Sequence, residues 1–263
     1  MITIRKYDGV ERIITIKKVL NKALFNANAF RLGMAFFDTG IDMGAEFAKA
    51  AGKVSDIFVT HRHHDHVGNN QVLQKEYGCN IYCHPNAMGL LRSPDNSSLI
   101  ELLYAGKVRP SLPKECPERI IVGDDEIIPI YTPGHSDDHM CFYLPERRML
   151  FSGDLVLWGK TRWVSDEVRI WDAIGSLQSI SRLKIERIFP GHGKPFDEPE
   201  EILSKKISYL TDLGKSVKEM HDDGMSNEAI RDKLLGKEEL IAFLSRGRFS
   251  KLNLVKSFLE PSD

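Results

Sequence analysis

The chain has 263 residues, a length that suits one α/β domain with at most a small appendage. Apolar residues make up 42% of the chain and charged residues 28%, which are the proportions of an ordinary soluble globular protein. The formal net charge of −1 excludes a global electrostatic attraction to nucleic acid or to an acidic membrane.

The cysteines and the hydropathy together predict a cytoplasmic protein. The 4 cysteines lack Cys-x-x-Cys spacing, and residues 1–6 lack the long apolar core of a secretion signal. No stretch approaches the roughly 20 apolar residues that a membrane helix needs, so no membrane partner is expected. We therefore expect reduced thiols in the cytosol. The sequence indicates no oligomeric state.

The first half of the chain predicts strands that alternate with helices. Short β-like runs separated by turn residues predict an antiparallel meander over 2–4, 12–16, 23–32 and 34–37. A helix is expected at 42–51, a strand at 57–59, a helix at 66–77 that Gly78 ends, and a strand at 80–83. Residues 84–118 contain 5 prolines and are expected to be irregular except for a helix at 98–105. This segment is interpreted as a lid, a dimer contact or a surface insertion.

The second half repeats this plan and ends in helices. Strands are expected at 119–122, 126–131, 139–144 and 149–152, followed by a helix at 170–183 and a strand at 187–189. After that, apolar residues recur along one helix face, Gly224 can end that helix, and Ser226 can cap the next one. Further apolar turns follow at 240–244 and 252–259. We therefore predict a metal-binding domain over 1–199 and a helical subdomain over 200–263.

One short segment carries most of the chemistry. The pattern His-x-His-x-Asp-His spans residues 61–66 and follows an apolar run at 57–59. Imidazole and carboxylate groups are common ligands of zinc, iron and manganese. His61 and His63 point the same way only if the backbone is extended, whereas the adjacent Asp65 and His66 must diverge. The segment can therefore serve two neighbouring metal ions, and His64, out of phase, is expected to point away.

Candidates to complete both sites lie downstream. His135, Asp154 and His192 each follow an apolar strand and a glycine. Glycine allows the chain to approach a metal closely, and loops at strand ends are where a scaffold usually places reactive groups.

These motifs, in this order, resemble the metallo-β-lactamase superfamily. The matching stretches are 61–66, Pro133–Ser136, Ser152–Asp154, Pro190–Gly193 and Phe37–Gly40. The resemblance implies an α/β fold, the αβ/βα four-layer sandwich, with the metal site at one edge between two sheets. It also implies the ligands. His61, His63 and His135 would hold the first metal, Asp65, His66 and His192 the second, and Asp154 would bridge both. Asp38 would orient a ligand histidine.

The layout is most similar to the branch of that superfamily that includes lactamase-B-like protein 2 and glyoxalase II-like enzymes. The stretch 132–139 resembles the corresponding stretch of lactamase-B-like protein 2, which implies that His139 lies behind a metal ligand. The same resemblance implies a winged-helix-like C-terminal subdomain.

The ligand set predicts hydrolysis at two divalent cations, with zinc favoured and iron or manganese also compatible. Zinc can lower the pKa of bound water from about 15.7 to about 7, which makes hydroxide available as the nucleophile. Asp65 is expected to orient that hydroxide. The chain has no Gly-x-Ser-x-Gly motif, so a covalent serine route is not supported.

The substrate is less clearly indicated. Residues after Asp154 are expected to lie near the mouth of the site and to bind substrate by stacking and by charge: Trp158, Lys160, Arg162 and Trp163. A small ester or thioester and a phosphodiester are the main hypotheses. The basic residues expected of a glutathione site are not recognisable, which disfavours that thioester.

Two alternatives stay open. A single-strand endoribonuclease would use C-terminal basic and aromatic residues, namely Arg246, Arg248, Phe249, Lys251, Lys256 and Phe258. Against it, residues 200–263 carry 11 Lys and Arg and 12 Asp and Glu. A mononuclear-iron persulfide dioxygenase would share the His-x-His-x-Asp-His motif. A metal-binding module without catalysis is disfavoured because structural zinc needs only about four ligands.

Overall fold

The computed structural model describes residues 1–19 and 22–260, so the last residues of the predicted C-terminal subdomain, 261–263, lie outside it. The strands of the described residues are β1 (Ile2–Tyr7), β2 (Val10–Val19), β3 (Lys22–Leu32), β4 (Ala35–Phe37), β5 (Asp56–Phe58), β6 (Asn80–Cys83), β7 (Lys114–Glu115), β8 (Ile120–Val122), β9 (Asp125–Tyr131), β10 (Met140–Leu144), β11 (Met149–Gly153), β12 (Val164–Ser165), β13 (Arg187–Pro190), β14 (Phe196–Asp197) and β15 (Phe249–Ser250). The helices are α1 (Ala45–Ala51), α2 (His64–Val67), α3 (Asn70–Tyr77), α4 (Pro85–Arg92), α5 (Leu99–Tyr104), α6 (Ile170–Ile180), α7 (Glu200–Asp222), α8 (Asn227–Leu234), α9 (Leu240–Leu244) and α10 (Lys251–Leu259).

The chain divides into two compact units, each built from separate stretches. The first unit comprises Met1–Tyr131, Asp138–Leu157 and Glu186–Asp197. The second comprises Thr132–Asp137, Trp158–Ile185 and Glu198–Asp263. The domain boundary predicted between residues 199 and 200 stays a prediction.

Two mixed sheets form the framework of the first unit. Within the described residues, β1 to β7 follow one another in chain order in one sheet, and the other sheet has the order β14-β13-β11-β10-β9-β8. Strands β1 to β4 pair antiparallel, which confirms the predicted meander. Strands β4 to β7 then pair in parallel. In the second sheet β11 and β13 are parallel, so their carboxyl ends meet at one edge.

Aromatic packing joins the inner faces of the two sheets. Phe37 of the first sheet stacks on Phe151 of the second, with ring centroids 3.7 Å apart and planes 10° from parallel. Phe30, Phe58 and Phe189 belong to the same buried cluster. A second cluster lies on the other side of the first sheet, where α1, α3 and α4 cover the strands. Burial of this much apolar surface on both faces makes the first sheet a rigid support for the loops at its edge.

The helix predicted over 66–77 is interrupted at Gly68 and Asn69. Gly68 donates its backbone N–H to the carbonyl oxygen of Gly40, at 3.0 Å. The side-chain amide of Asn69 donates to the carbonyl oxygen of Ile41, at 2.7 Å. Contacts with another loop therefore replace helical hydrogen bonds here, which periodicity alone does not reveal.

The segment 84–118 is more regular than predicted. Helix α4 occupies residues expected to be irregular, because Pro85 stands in its first turn, where proline is favoured. The imidazole of His84 accepts the backbone N–H of Asn86 and caps this helix. The helix predicted at 98–105 is confirmed as α5, and Ser98 is its N-cap.

The second unit is helical, apart from the short antiparallel pair β12 and β15. Helix α10 supplies Leu254, Val255 and Phe258 to a buried core. The ring of Phe258 lies edge to face with that of Trp171 on α6, with centroids 5.6 Å apart. A Cβ at Gly214 of α7 would approach both rings to 2.8 Å, so a glycine lets α7 pack closely here. Within the described residues, none of the helices has both the length and the apolarity to cross a lipid bilayer.

Candidate metal centre

Three strand ends of the first unit position a cluster of histidines and carboxylates. The segment 60–66 follows β5, Asp154 follows β11, and His192 follows β13. Since β11 and β13 are parallel and adjacent, Asp154 and His192 leave the sheet at the same edge. Ligand sites commonly form beyond the carboxyl ends of parallel strands.

The predicted ligands of the second metal converge. The ligand atoms of Asp65, His66 and His192 lie within 4.8 Å of one another. The Nε2 atom of His192 is 3.1 Å from a carboxylate oxygen of Asp65 and 3.3 Å from one of Asp154. The Nε2 atom of His66 is 3.4 Å from the other carboxylate oxygen of Asp154. Asp154 thus faces two histidines of the cluster through its two oxygens.

A second overlapping group extends the cluster toward the first predicted metal. The ligand atoms of His61, His66 and Asp154 also lie within 4.8 Å of one another. The Nε2 atom of His61 is 2.9 Å from the Nδ1 atom of His63. Because these nitrogens converge on one point, His61 and His63 have the arrangement that the extended backbone at 61–63 predicts.

Hydrogen bonds behind the cluster orient each imidazole. His66 Nδ1 lies 2.7 Å from a carboxylate oxygen of Asp38. His192 Nδ1 lies 2.8 Å from the carbonyl oxygen of Asn26, which can only accept. Both Nδ1 atoms therefore donate, and both Nε2 atoms face the cluster, where a cation would take the place of a proton. Asp38 thus lies behind His66, and its orienting role stays a prediction.

Thr60 extends the same support to His61. Its hydroxyl donates to Asp38 at 2.7 Å, and its oxygen lies 3.0 Å from His61 Nδ1. Asp38 also accepts the backbone N–H of Thr60, at 2.7 Å. Asp38 is buried and has a φ of 58°, a strained value for a residue other than glycine. Such strain is common where a side chain must be held in one functional orientation.

Two glycines leave room for the cluster. A Cβ at Gly191 would lie 2.4 Å from a carboxylate oxygen of Asp154 and 2.5 Å from the ring of His66. A Cβ at Gly153 would lie 2.6 Å from His139 Nε2, and Gly153 has a φ of 46°. Both positions therefore require glycine, as the strand-glycine-ligand pattern predicts.

Opposite charges shift the pKa values of the cluster strongly. Burial alone would raise the pKa of Asp65, but the charge of His66 and a hydrogen bond from His192 lower it to about 2. Burial alone would lower the pKa of His192, but the charge of Asp154 and its hydrogen bond raise it to about 10. Against the same effect of burial, the charges of Asp154 and Asp38 hold the pKa of His66 well above its usual range. The carboxylates of the cluster therefore stabilise positive charge beside them.

The donor set fits divalent cations. It offers imidazole nitrogens and carboxylate oxygens, the usual ligands of zinc, iron and manganese. Within the described residues, the buried Nε2 of His66 has no hydrogen-bond partner. A buried polar atom is normally paired, so a ligand that His66 can coordinate accounts for its orientation.

Two further histidines lie near the cluster without belonging to it. His139 is fully buried, and its Nε2 accepts the backbone N–H of Asp154 at 3.2 Å, behind the predicted bridging carboxylate. His64 turns away, as its phase in the motif predicts, and its Nε2 lies 3.0 Å from the carbonyl oxygen of Asp95.

The remaining predicted site residues lie in the second unit, and their roles stay predictions. His135 follows Gly134, which has a φ of 127° and whose Cβ would lie 2.1 Å from the backbone of Ala173. Trp158 and Trp163 are exposed by 54% and 42%.

The two basic residues between those tryptophans have local partners. Lys160 lies 5.2 Å from the ring centroid of Tyr209, and Arg162 lies 4.0 Å from a carboxylate oxygen of Glu239. Neither partner prevents a role in substrate binding, because both side chains are exposed.

Two C-terminal residues of the ribonuclease hypothesis have structural roles instead. Phe258 is fully buried in the helical core. Lys251 is buried and donates to the carbonyl oxygens of Leu235 and Lys237 at 3.0 and 2.9 Å. Neither side chain is available to bind RNA, so this prediction was wrong for both.

The sequence reasoning missed an aromatic pair beside the cluster. The ring of Phe25 on β3 lies 5.2 Å from that of His192 and 4.6 Å from that of Tyr104 on α5. Phe25 and Tyr104 are 79 positions apart in the chain, and neither belongs to a motif. The alternation of strand β3 places Phe25 on one face, but no sequence signal indicates what that face contacts.

Comparison with known families agrees with the geometry of the site. The family model of the metallo-β-lactamase superfamily matches residues 37–192. The chain is 28% identical to a β-lactamase-like protein 2 homolog of Drosophila melanogaster over 164 residues, which cover 60% of this chain and 51% of that protein. It is 29% identical to an atrochrysone carboxyl ACP thioesterase of Aspergillus fumigatus over 161 residues, 59% of this chain and 43% of that one. The chain thus spans about half the length of the curated relatives it matches.

A solved structure shows the same fold. A β-lactamase domain protein from Burkholderia ambifaria superposes with a TM-score of 0.74 at 19% identity, over 97% of this chain and 87% of that one. The superposition includes the C-terminal helices, since it covers nearly the whole chain.

Proposed function

The chain belongs to the metallo-β-lactamase superfamily, and we propose that it is a metal-dependent hydrolase that cleaves a thioester with an apolar acyl group. The proposed centre holds two divalent cations, zinc by preference. The observation that carries this proposal is the convergence of Asp65, His66 and His192 on one point, within 4.8 Å of one another.

The proposed ligand set is the one that the motifs imply. His61, His63 and His135 would hold one cation, Asp65, His66 and His192 would hold the other, and Asp154 would be shared by both. The overlapping groups around His66 and Asp154 support two neighbouring positions rather than one. His135 is included on its motif, Pro133–Ser136.

Bound divalent cations would polarise the carbonyl of a substrate and lower the pKa of water, so that hydrolysis needs no covalent intermediate. The chain's own residues have three tasks. Asp38 and Thr60 hold the imidazoles of His66 and His61 in the tautomer that leaves Nε2 available. Asp65 is buried and stays ionised, so it can accept a hydrogen bond from the attacking water and orient it. His139 fixes the backbone of Asp154.

An apolar acyl group is the substrate feature that the surroundings favour. Phe25 and Tyr104 form an aromatic wall beside His192, and both side chains are half-buried. Such a wall stacks on or covers apolar carbon, and the ring of Phe25 beside His192 offers no hydrogen-bond donor to a phosphate. The likeness to a thioesterase supports the same class of substrate. Trp158, Lys160, Arg162 and Trp163 are proposed to bind the polar, leaving-group half of the substrate.

Free cysteines support the predicted location. Cys79, Cys83, Cys116 and Cys141 form no disulfide bonds, the usual state in a reducing compartment. We propose that the protein acts in the cytoplasm.

A test of this proposal combines metal analysis with a substrate panel. We expect the native protein to hold about two zinc ions and to cleave acyl thioesters, with loss of activity on chelation and recovery on addition of zinc. The panel also includes aryl esters, a bis-aryl phosphodiester and single-stranded RNA. One iron per chain with oxygen uptake on a persulfide would replace this proposal with a dioxygenase. RNA cleavage without thioester cleavage would replace it with a nuclease.

A further inference from the structure

We propose that Asp138 is a positioning residue for the metal site, acting through the backbone between His61 and His63. This inference rests on the proposed function, since it concerns how the proposed cation site is held. Asp138 belongs to the first unit, as do both histidines.

Asp138 accepts two hydrogen bonds from Arg62. One carboxylate oxygen accepts the backbone N–H of Arg62 at 2.8 Å, and the other accepts its guanidinium at 2.6 Å. The side chain of Asp138 is fully buried, and that of Arg62 is 19% exposed. A carboxylate removed from water in this way must be compensated, and a single residue, Arg62, supplies both a backbone and a charged donor.

The pair of Asp138 and Arg62 affects the proposed metal site because of where Arg62 lies in the chain. Arg62 separates His61 from His63, whose ligand nitrogens lie 2.9 Å apart. Two histidines at this spacing face one point only while the residue between them stays extended. A buried anchor on both the main chain and the side chain of Arg62 restricts the torsions that set the angle between the two imidazoles.

The residues after Asp138 make the same kind of contact. His139 accepts the backbone N–H of Asp154, and Met140 donates its own N–H to the carbonyl oxygen of Thr60 at 2.7 Å. Three consecutive residues therefore fix the loops that carry the predicted ligands. Asp138 is the one of the three that contacts the segment between two of them.

An ion pair with a purely structural role would also be buried and make two contacts, so the test needs a readout other than stability. Asp138→Asn keeps one acceptor but turns an amide NH2 toward the guanidinium. The matched control is Asp125→Asn. Both carboxylate oxygens of Asp125 accept hydrogen bonds from the guanidinium of Arg147, one of them at 2.8 Å, and Asp125 contacts no predicted ligand. Both variants are compared with wild type by chelator competition for zinc and by the ligand-field spectrum of the cobalt form.

We expect Asp138→Asn to weaken one of the two zinc constants by about 10- to 100-fold, as is usual when support behind a metal ligand is lost. The cobalt spectrum should change with it. Asp125→Asn should leave both constants and the spectrum as in wild type.

If circular dichroism shows that Asp138→Asn does not fold, the variant Arg62→Met is used in its place. Methionine keeps the backbone hydrogen bond to Asp138 and removes only the guanidinium. A smaller loss at one zinc constant then supports the proposal. Zinc constants and a cobalt spectrum that match wild type in the folded variant overturn it. A wild-type protein that binds no metal would overturn the proposed function as well, whereas unchanged constants in a variant of a metal-binding wild type overturn this inference alone.

Discussion

Replacement of Asp38 by asparagine tests the support behind the metal ligands most sharply. Asp38 accepts three hydrogen bonds, from the backbone and hydroxyl of Thr60 and from His66. Asparagine has one acceptor oxygen, so its NH2 group must face a former donor. Next to His66, that NH2 favours the tautomer with the proton on Nε2, the nitrogen that faces the cluster.

The magnitude follows from these contacts. Loss of an orienting partner behind a metal ligand typically costs about 10- to 100-fold in metal affinity. This is about 1.4 to 2.7 kcal/mol of binding free energy. Because hydrogen bonds to a charged group contribute about 1.5 to 3 kcal/mol each, the free energy of unfolding of the metal-free protein should also fall, by about 3 kcal/mol.

The assay is chelator competition with zinc on folded protein, with urea unfolding in parallel. Thr60→Val is the matched variant, since it removes the link to His61 but keeps the bond between Asp38 and His66. It should have a smaller effect on zinc affinity than Asp38→Asn. Zinc binding by folded Asp38→Asn within twofold of wild type would refute the reasoning.

Three further predictions concern the surroundings of the site. Phe25→Ala should raise the KM for long-chain acyl thioesters by about 10-fold, because the aromatic contact with the acyl chain is lost. The KM for acetyl thioesters and the metal content should stay as in wild type, measured in the same kinetic and metal assays. Gly191→Ala should lower zinc affinity and thermal stability, because its Cβ would lie 2.4 Å from a carboxylate oxygen of a predicted ligand. Gly175→Ala, whose Cβ would have nothing within 4 Å, should be tolerated. Equal effects of the two substitutions would contradict the steric argument. Burial raises the pKa of Cys83 and of Cys116 to about 12, from 9.0, so alkylation at pH 8 should be about a thousandfold slower in the folded protein than in guanidinium. Since the folded state binds these protons more tightly, their contribution to stability is constant below pH 9 and decreases as the pH rises toward 12, which urea titrations at two pH values would detect.

Local sequence patterns predicted the parts of the site that lie close together in the chain. The spacing of His61 and His63, the divergence of Asp65 and His66, and the turn of His64 all follow from side-chain direction over a few residues. The strand-glycine-ligand pattern also placed Asp154 and His192 at strand ends, whereas the parallel pairing that brings these two ends to one edge is seen only in the structure.

The remaining features depend on contacts that the sequence does not encode locally. The helix over 66–77 is broken because Asn69 bonds a loop 28 residues earlier. Helix α4 replaces part of the segment predicted to be irregular, because a proline in a first turn, such as Pro85, does not break a helix. Phe25 and Tyr104 meet through the tertiary fold alone.

Asp138 illustrates the same limit within a recognised motif. It stands beside His139, to which the motif assigned a role, yet its own partner is 76 residues away. Asp138 lies in a turn just before β10, and a buried carboxylate in a turn has no periodicity that identifies what it pairs with. Lys251 and Phe258 were predicted to bind RNA but are buried in the helical core. A basic and aromatic composition does not distinguish a binding surface from such a core.

Anomalous diffraction from crystals of the native protein, measured on both sides of the zinc absorption edge, tests the central claim most directly. The account predicts two neighbouring zinc peaks, each about 2.0 to 2.2 Å from its imidazole and carboxylate ligands, with Asp154 within reach of both. A protein that cleaves thioesters but shows no anomalous peak beside His66 and His192 would contradict it.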